Sequence, residues 1–271
     1  MKLYSPAKLN LFFRVLKKRD DGFHEIASLM QAISLCDTLQ VELAVEDSLT
    51  CTDPQIPTDE NNFIHKARSL FRKKTGFNVP LAIHAEKRIP SEGGLGGGSG
   101  NIATTLYAMN QLSGLGLLET KLAEWAGEIS SDAPFFFSSG TAYTTGRGEI
   151  VELLDPLPKK NLYLAKPSGP GLSTPLVYKH CKPNVNLNDP THLLKERKWG
   201  INDLEFPAFS LRPDLKELKS KLFDLGFDSV AMTGSGTAFF CFGTVEGPTL
   251  PDIQFWKSSY ISREGTQWYE I

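Results

Sequence analysis

Residues 90–103 read PSEGGLGGGSGNIA, six glycines in fourteen positions, and run directly into a helical pattern. Glycine costs folding entropy, so it is placed where a backbone must turn with positive φ or come close to something else. A glycine turn that opens a helix brings main-chain N–H groups and the positive end of the helix dipole to one spot, which suits an anion. The same composition also describes a flexible surface loop. Two phosphate-binding patterns can be tested by spacing. The Walker pattern fails, because no Lys-Ser or Lys-Thr follows the glycines. Gly98-Ser99-Gly100-Asn101-Ile102-Ala103 fits a loose dinucleotide fingerprint, but its strand should lead straight into the first glycine, and EKRIPSEGG intervenes. Ser99 could cap the helix or contact phosphate or its metal ion.

A chain of 271 residues can bury a substantial core as one large domain or two smaller ones. Its 29 Lys and Arg against 31 Asp and Glu give a formal charge of -2, so no overall field recruits nucleic acid or an anionic membrane. The basic run RKK at 72–74 reads as a solvated helix face. Cys36, Cys51, Cys181 and Cys241 show no CxxC pair and no zinc-like grouping with histidine, which fits reduced thiols in a reducing cytoplasm. MKLYSPAKLN has no apolar signal core, no stretch reaches membrane-spanning length, and no Arg/Ser-rich leader is seen. A plastid protein is expected to carry such a leader, so a bacterial cytoplasm is the expected location.

LNLFFRVL (9–16), DTLQVELA and VPLAIHAEK read as strands, with an Asp-Gly turn in RDDGFHE. Helices are expected in NNFIHKARSLFRKKTG with Gly76 as a stop, from about Asn101 to Gln111, and in ETKLAEWAGEISS. The Pro-rich stretch at 155–158 suggests a connector. Beyond it, NLYLAKPS and TAFFCFG read as strands and PDLKELKSKLFDLG as an amphipathic helix. The mixed order favours α+β over a regularly alternating parallel sheet, with two domains at 1–153 and 154–271.

The loop resembles the P-x-x-x-G-L-G/S-rich phosphate loop of the galactokinase, homoserine kinase, mevalonate kinase and phosphomevalonate kinase (GHMP) superfamily. Pro90, Gly94, Leu95, Gly96, Gly97, Gly98 and Ser99 stand at the matching spacing. SPAKLNLFFRV (5–15) resembles the first motif of that superfamily and VAMTGSGTAFFCF (230–242) the third. Within it, PAKLNLF, DGFHEI, GGLGGGSGNIAT, SDAPFFF, STPLVY and TGSGTAFF are similar, in order, to the branch that phosphorylates a cytidyl-diphosphate sugar alcohol in non-mevalonate isoprenoid synthesis. Ordered agreement from residue 5 to residue 240 is far more specific than one loop. The resemblance implies a GHMP kinase fold: an N-terminal ribosomal-protein-S5-domain-2-like α/β domain, a C-terminal ferredoxin-like α/β domain, and the active site in the cleft between them.

It also implies roles. Asp132 would face the acceptor hydroxyl and take its proton, although Asp before Ala-Pro equally reads as a cap or turn residue. Lys8, otherwise a residue of a solvated strand edge, would lie beside it and favour the ionised carboxylate. Phe23 and Tyr178 would sandwich cytosine, His24 would bond its edge, and Asn10 and Thr174 would hold substrate polar groups. Phe23 replaces a tyrosine common at that place, which keeps the stacking face and loses a hydroxyl. Gly94, Leu95, Gly96, Gly97, Gly98, Ser99 and Asn101 would surround the ATP phosphates, with Asn62 and Lys87 near adenine. A helix cap and a surface lysine explain those last two equally well. Glu92 and Gly100 depart from the commoner Gly and Ser; Glu92 is expected to point outward, and no metal ligand is assigned. Mg²⁺ is expected as MgATP, held largely by phosphates and water. The rival readings are another small-molecule kinase of the superfamily, acting on mevalonate or homoserine, and a non-catalytic nucleotide sensor on the same fold.

Overall fold

Two long strands organise the molecule. In the computed structural model, which describes residues 1–183, 190–196 and 198–270, β1 (Lys2–Lys18) and β2 (His24–Leu43) form an antiparallel hairpin across the Asp-Gly turn. The segments IASLMQAISL and DTLQVELA thus belong to one strand of 20 residues, so the sequence pattern underestimates its length. Both faces of its middle are covered, which erases the alternation that would mark a half-buried strand. β3 (Ser48–Cys51) follows, then α1 (Phe63–Thr75), β4 (Leu81–Glu86), α2 (Gly97–Ser113) and α3 (Glu119–Ile129). A 3₁₀ turn at Ala133–Phe137 leads to β5 (Thr141–Thr145) and β6 (Ile150–Leu153). The remainder holds β7 (Asn161–Pro167), α4 (Thr174–His180), α5 (Thr191–Glu196), β8 (Ile201–Asn202), α6 (Glu205–Leu211), α7 (Pro213–Asp224), β9 (Ser229–Met232), β10 (Phe239–Phe242) and β11 (Ile253–Ser259).

The first sheet runs β3-β4-β2-β1-β8, with β5 on the first half of β2 and β6 beyond it; the second runs β11-β7-β10-β9. Three apolar clusters show how they stack. Helices α1–α3 cover one face of the first sheet through Ile64, Phe71, Leu106 and Trp125, and Trp268 and Tyr269 from the C-terminal end join them. Leu9, Leu11 and Leu29 meet Leu162, Leu164 and Phe240 between the sheets. Phe239 and Cys241 point the other way, onto Leu215, Leu218 and Leu222 of α7. Adjacent residues of β10 therefore serve different cores, as a period of two requires. Wholly buried apolar surface of this extent is the main stabilising contribution.

Local signals account for the helix ends. Asn62 caps α1 by accepting the Ile64 N–H at 2.8 Å, and Gly76 closes it in the left-handed conformation (φ 75°). The RKK run lies on an exposed helix face, as expected, where Arg72 pairs with Asp47 and Lys74 lies 2.8 Å from Glu128. All four cysteines are free thiols.

Candidate active site

Two glycine turns interlock. Gly94 and Gly96 adopt left-handed backbone with φ of 77° and 70°. A Cβ on Gly94 would stand 2.0 Å from the Thr233 carbonyl oxygen, and one on Gly236 would stand 2.0 Å from Gly94 N. The Ala238 N–H donates to the Gly93 carbonyl at 3.2 Å, and the Lys8 N–H donates to the Leu95 carbonyl at 2.9 Å. The first, second and third sequence motifs thus converge on one backbone knot. Helix α2 starts at Gly97 with Gly96 as its cap, earlier than the spacing predicts, and Ser99 lies inside the first turn. Ser99 is therefore not the cap; its hydroxyl shares a 2.8 Å hydrogen bond with Ser130.

Lys8 is 3% exposed, not a solvated edge residue. Breaks in register on both sides, at Pro6/Ala7 and Asn10/Phe12, re-aim this stretch of β1. Lys8 and Asn10 share a strand face. The Lys8 ammonium donates to Asn10 Oδ1 at 2.6 Å and lies 3.1 Å from Asp132 Oδ2. Asn10 is held in turn by donating to Ser28 Oγ at 2.8 Å and, through its backbone N–H, to Thr233 Oγ1 at 3.0 Å. A buried ammonium is costly unless paired and hydrogen-bonded, and both conditions are met. Asp132 precedes the 3₁₀ turn but makes no side-chain cap bond. Its carboxylate turns to Lys8 instead, so the capping reading of this residue is not realised. About a third of the Asp132 side chain is open to a cavity.

That cavity, about 690 Å³, contains Lys8, Asn10 and Asp132 and is walled by Phe23, His24 and Tyr178. A second, about 470 Å³, runs along the glycine loop from Pro90 to Ser99 and reaches Asn62 and Lys87. Gly94, Gly96 and Thr174 line both. The loop is consequently the shared wall between two compartments, with the ammonium–carboxylate pair on one side of it.

Several loop residues differ from expectation in their surroundings. Lys87 is not a surface lysine: it pairs with the fully buried Asp37 and donates to Asn101 Oδ1 at 2.9 Å. Asn101 is buried too, donating to Ser5 Oγ at 2.8 Å and to Asp37 Oδ2 at 3.1 Å. Asp37 also accepts the N–H groups of Arg88 and Ile89 at 2.8 and 2.9 Å. These bonds fix the chain entering the loop. The sequence reading missed Asp37, although an isolated carboxylate in SLCDTLQV is a signal, since a charge within an apolar strand must have partners. Leu95 is buried in the inter-sheet core and contributes backbone only. Asn62 is a helix cap that also lines the loop cavity. Glu92 has φ 56°, and its carboxylate accepts the Gly171 N–H at 2.8 Å, tying the loop to the segment before α4.

The aromatic wall departs from a simple pair of open faces. Tyr178 stacks on His24 with ring centroids 5.0 Å apart, and Phe23 carries the Arg147 guanidinium 4.8 Å from its ring centre. Both contacts are favourable for rings of this kind, which gain from stacked and cation–π neighbours. Burial and the nearby Lys18 hold the His24 pKa below its ordinary value, so the ring is neutral at pH 7. Burial, with Asp132 adding to it, raises the Tyr178 phenol. Thr174 opens α4 and shares a 2.8 Å hydrogen bond with Ser235. Arg147 was not anticipated from the sequence; an arginine between two glycines in a turn is the signal that could have found it.

Residues 62–140 match the family model described as the GHMP kinases N terminal domain. The chain is 48% identical over 272 residues to 4-diphosphocytidyl-2-C-methyl-D-erythritol kinase of Protochlamydia amoebophila, covering 99% of this chain and 93% of that protein. It is 42% identical to the chloroplastic enzyme of the same name from Arabidopsis thaliana, covering 100% of this chain and 76% of the relative. A crystal structure of 4-(cytidine 5'-diphospho)-2C-methyl-D-erythritol kinase superposes with TM-score 0.80 at 32% identity, covering 97% of this chain and 100% of that one. At 17% identity, a homoserine kinase from Cytophaga hutchinsonii shares the fold, with TM-score 0.72 over 97% of this chain and 95% of that one. The chain belongs to the 4-diphosphocytidyl-2-C-methyl-D-erythritol kinase family of the GHMP kinases.

Proposed function

We propose that the chain transfers the γ-phosphoryl group of ATP to the 2-hydroxyl of 4-diphosphocytidyl-2-C-methyl-D-erythritol, giving the 2-phosphate and ADP, in non-mevalonate isoprenoid synthesis. The observation that carries this reading is the Lys8–Asp132 pair beside a glycine loop that separates two cavities. Phosphoryl transfer is largely positioning and charge neutralisation, and this arrangement supports both. The triphosphate lies along the loop, where N–H groups at the start of α2 and the helix dipole favour anions. The acceptor occupies the larger cavity with its alcohol at Asp132. The carboxylate orients that hydroxyl and accepts its proton as the O–P bond forms. Lys8 pairs with the carboxylate and stabilises charge building on the alcohol oxygen. Asn10 and Thr233 hold the ammonium in line. Tyr178, Phe23 and neutral His24 receive cytosine, with Thr174 at the junction.

Magnesium, when bound with ATP, would supply charge neutralisation at the phosphate oxygens. Among the described residues no group of three or more His, Cys, Asp and Glu could cage a metal, which suits an ion held mainly by phosphates and water. Ser99 Oγ is the loop hydroxyl able to join them. Free thiols favour a cytoplasmic setting. No helix among the described residues is long and apolar enough to cross a membrane.

The test is ADP release by purified protein offered the cytidyl acceptor, mevalonate or homoserine. The reading predicts turnover with the cytidyl acceptor alone. Preference for either base-free alcohol contradicts the acceptor assignment, and no turnover with any of them favours a sensor.

A further inference from the structure

The acceptor has a fixed order: reacting alcohol, short polyol, diphosphate, ribose, base. The larger cavity is lined by Lys8 and Asp132, by the rings of Phe23, His24 and Tyr178, and by Arg147. A side chain that holds the diphosphate must bridge the reacting carboxylate and an aromatic face. Arg147 does. It sits in a turn between Gly146 (φ 70°) and Gly148 (φ 117°), joining β5 to β6. A Cβ on Gly148 would stand 3.2 Å from Asp132 Oδ1, so the turn abuts the carboxylate. The Arg147 guanidinium extends from there to the Phe23 ring, 4.8 Å away.

Charge points the same way. The cavity lining carries Lys8, Lys18, Arg147 and Lys179 against a single carboxylate, Asp132. Neighbouring carboxylates are largely engaged: Asp21 and Glu25 pair with Arg19 at 3.0 and 2.9 Å. Glu149 lies 3.6 Å from Arg147 Nε, along one edge of the guanidinium, and its other oxygen accepts the Arg147 backbone N–H. Lys18 and Lys179 make no ion pair among the described residues. We propose that Arg147, with Lys18 and Lys179 at the rim, forms a diphosphate subsite that selects nucleoside-diphosphate acceptors over uncharged or singly charged alcohols. The inference rests on the acceptor reading above. A planar guanidinium suits paired phosphate oxygens better than an ammonium does, and its stack on Phe23 pre-orients it.

The experiment is calorimetric binding of cytidine 5'-diphosphate and of cytidine to wild type, R147M and R147K, with the ATP site filled by a non-hydrolysable ATP analogue. Steady-state kinetics with the cytidyl acceptor run beside it. Wild type binds the diphosphate about 10–100-fold more tightly than cytidine, the worth of one or two charge-assisted hydrogen bonds. R147M loses most of that ratio while cytidine binding changes less than about twofold, and R147K recovers part of it. The acceptor KM rises in parallel in R147M, with the ATP KM unchanged. Equal weakening of both ligands would mean that Arg147 only supports Phe23, and overturns the proposal. So does an unchanged ratio in R147M, or a wild type that does not distinguish the two ligands. Failure of wild type to turn over the cytidyl acceptor, with the ratio intact, overturns the kinase reading and leaves the subsite standing.

Discussion

Replacing Gly94 by alanine separates a loop that merely bends from one whose backbone must fit a second turn. At 94 the added Cβ would lie 2.0 Å from the Thr233 carbonyl oxygen, where ordinary contact begins at 3.4 Å, so the turns must part by about 1.4 Å. Left-handed backbone adds about 1–2 kcal/mol for a residue with a Cβ. The displaced segment is the wall common to both cavities, and misplacement by about 1 Å can cost about 10²-fold in rate. Gly114 is the control, with φ 66° and nothing within 4 Å of its Cβ position. G114A should lower Tm by about 2–6 °C through backbone strain alone and leave kcat/KM within about twofold of wild type. G94A should lose kcat/KM about 100-fold in an ADP-release assay, measured below its melting transition. A folded G94A with the same Tm as G114A and kcat/KM within about threefold of wild type would refute the interlocked-turn argument.

Tyr178→Ala removes one ring from the wall of the larger cavity, where the proposed acceptor base stacks. A stacking contribution of about 1–3 kcal/mol raises the acceptor KM about 5–150-fold while the ATP KM stays within about twofold; equal effects on both would count against base stacking there. His24 supplies a pH test. Its pKa is lowered from an ordinary 6.5 by burial and by Lys18, so below that value the unfolded chain binds more protons than the native one, and stability falls as pH drops. Between pH 7 and pH 5.5 the wild-type Tm should therefore fall more steeply than that of H24Q, and parallel curves would show that His24 does not carry the linkage.

The placement of strong local signals was legible. Asn62 and Gly76 bound α1 as the periodicity requires, and three glycine- or lysine-bearing motifs distant in sequence meet at one knot. What sequence could not supply is what each polar side chain faces. Lys87 looks like an ordinary surface lysine until β2 places Asp37 beneath it, and Asp132 looks like a cap until β1 delivers Lys8. These are contacts across the tertiary fold, with no local pattern to mark them. The short strands β3, β5, β6, β8 and β9 escaped for a related reason: each is stabilised by its pairing partner more than by its own few residues. The exposed phenylalanine at 23 also illustrates the limit, because its neighbour Arg147 arrives from a turn over a hundred residues away.

The most direct test of the account is turnover by Asp132→Asn, an isosteric change that keeps the side chain's shape and removes its capacity to take a proton. With both substrates saturating and folding verified by thermal melting, the ammonium–carboxylate mechanism predicts a kcat lowered by about two to four orders of magnitude, with the KM for ATP little changed. A folded variant that turns over at close to the wild-type rate would contradict it.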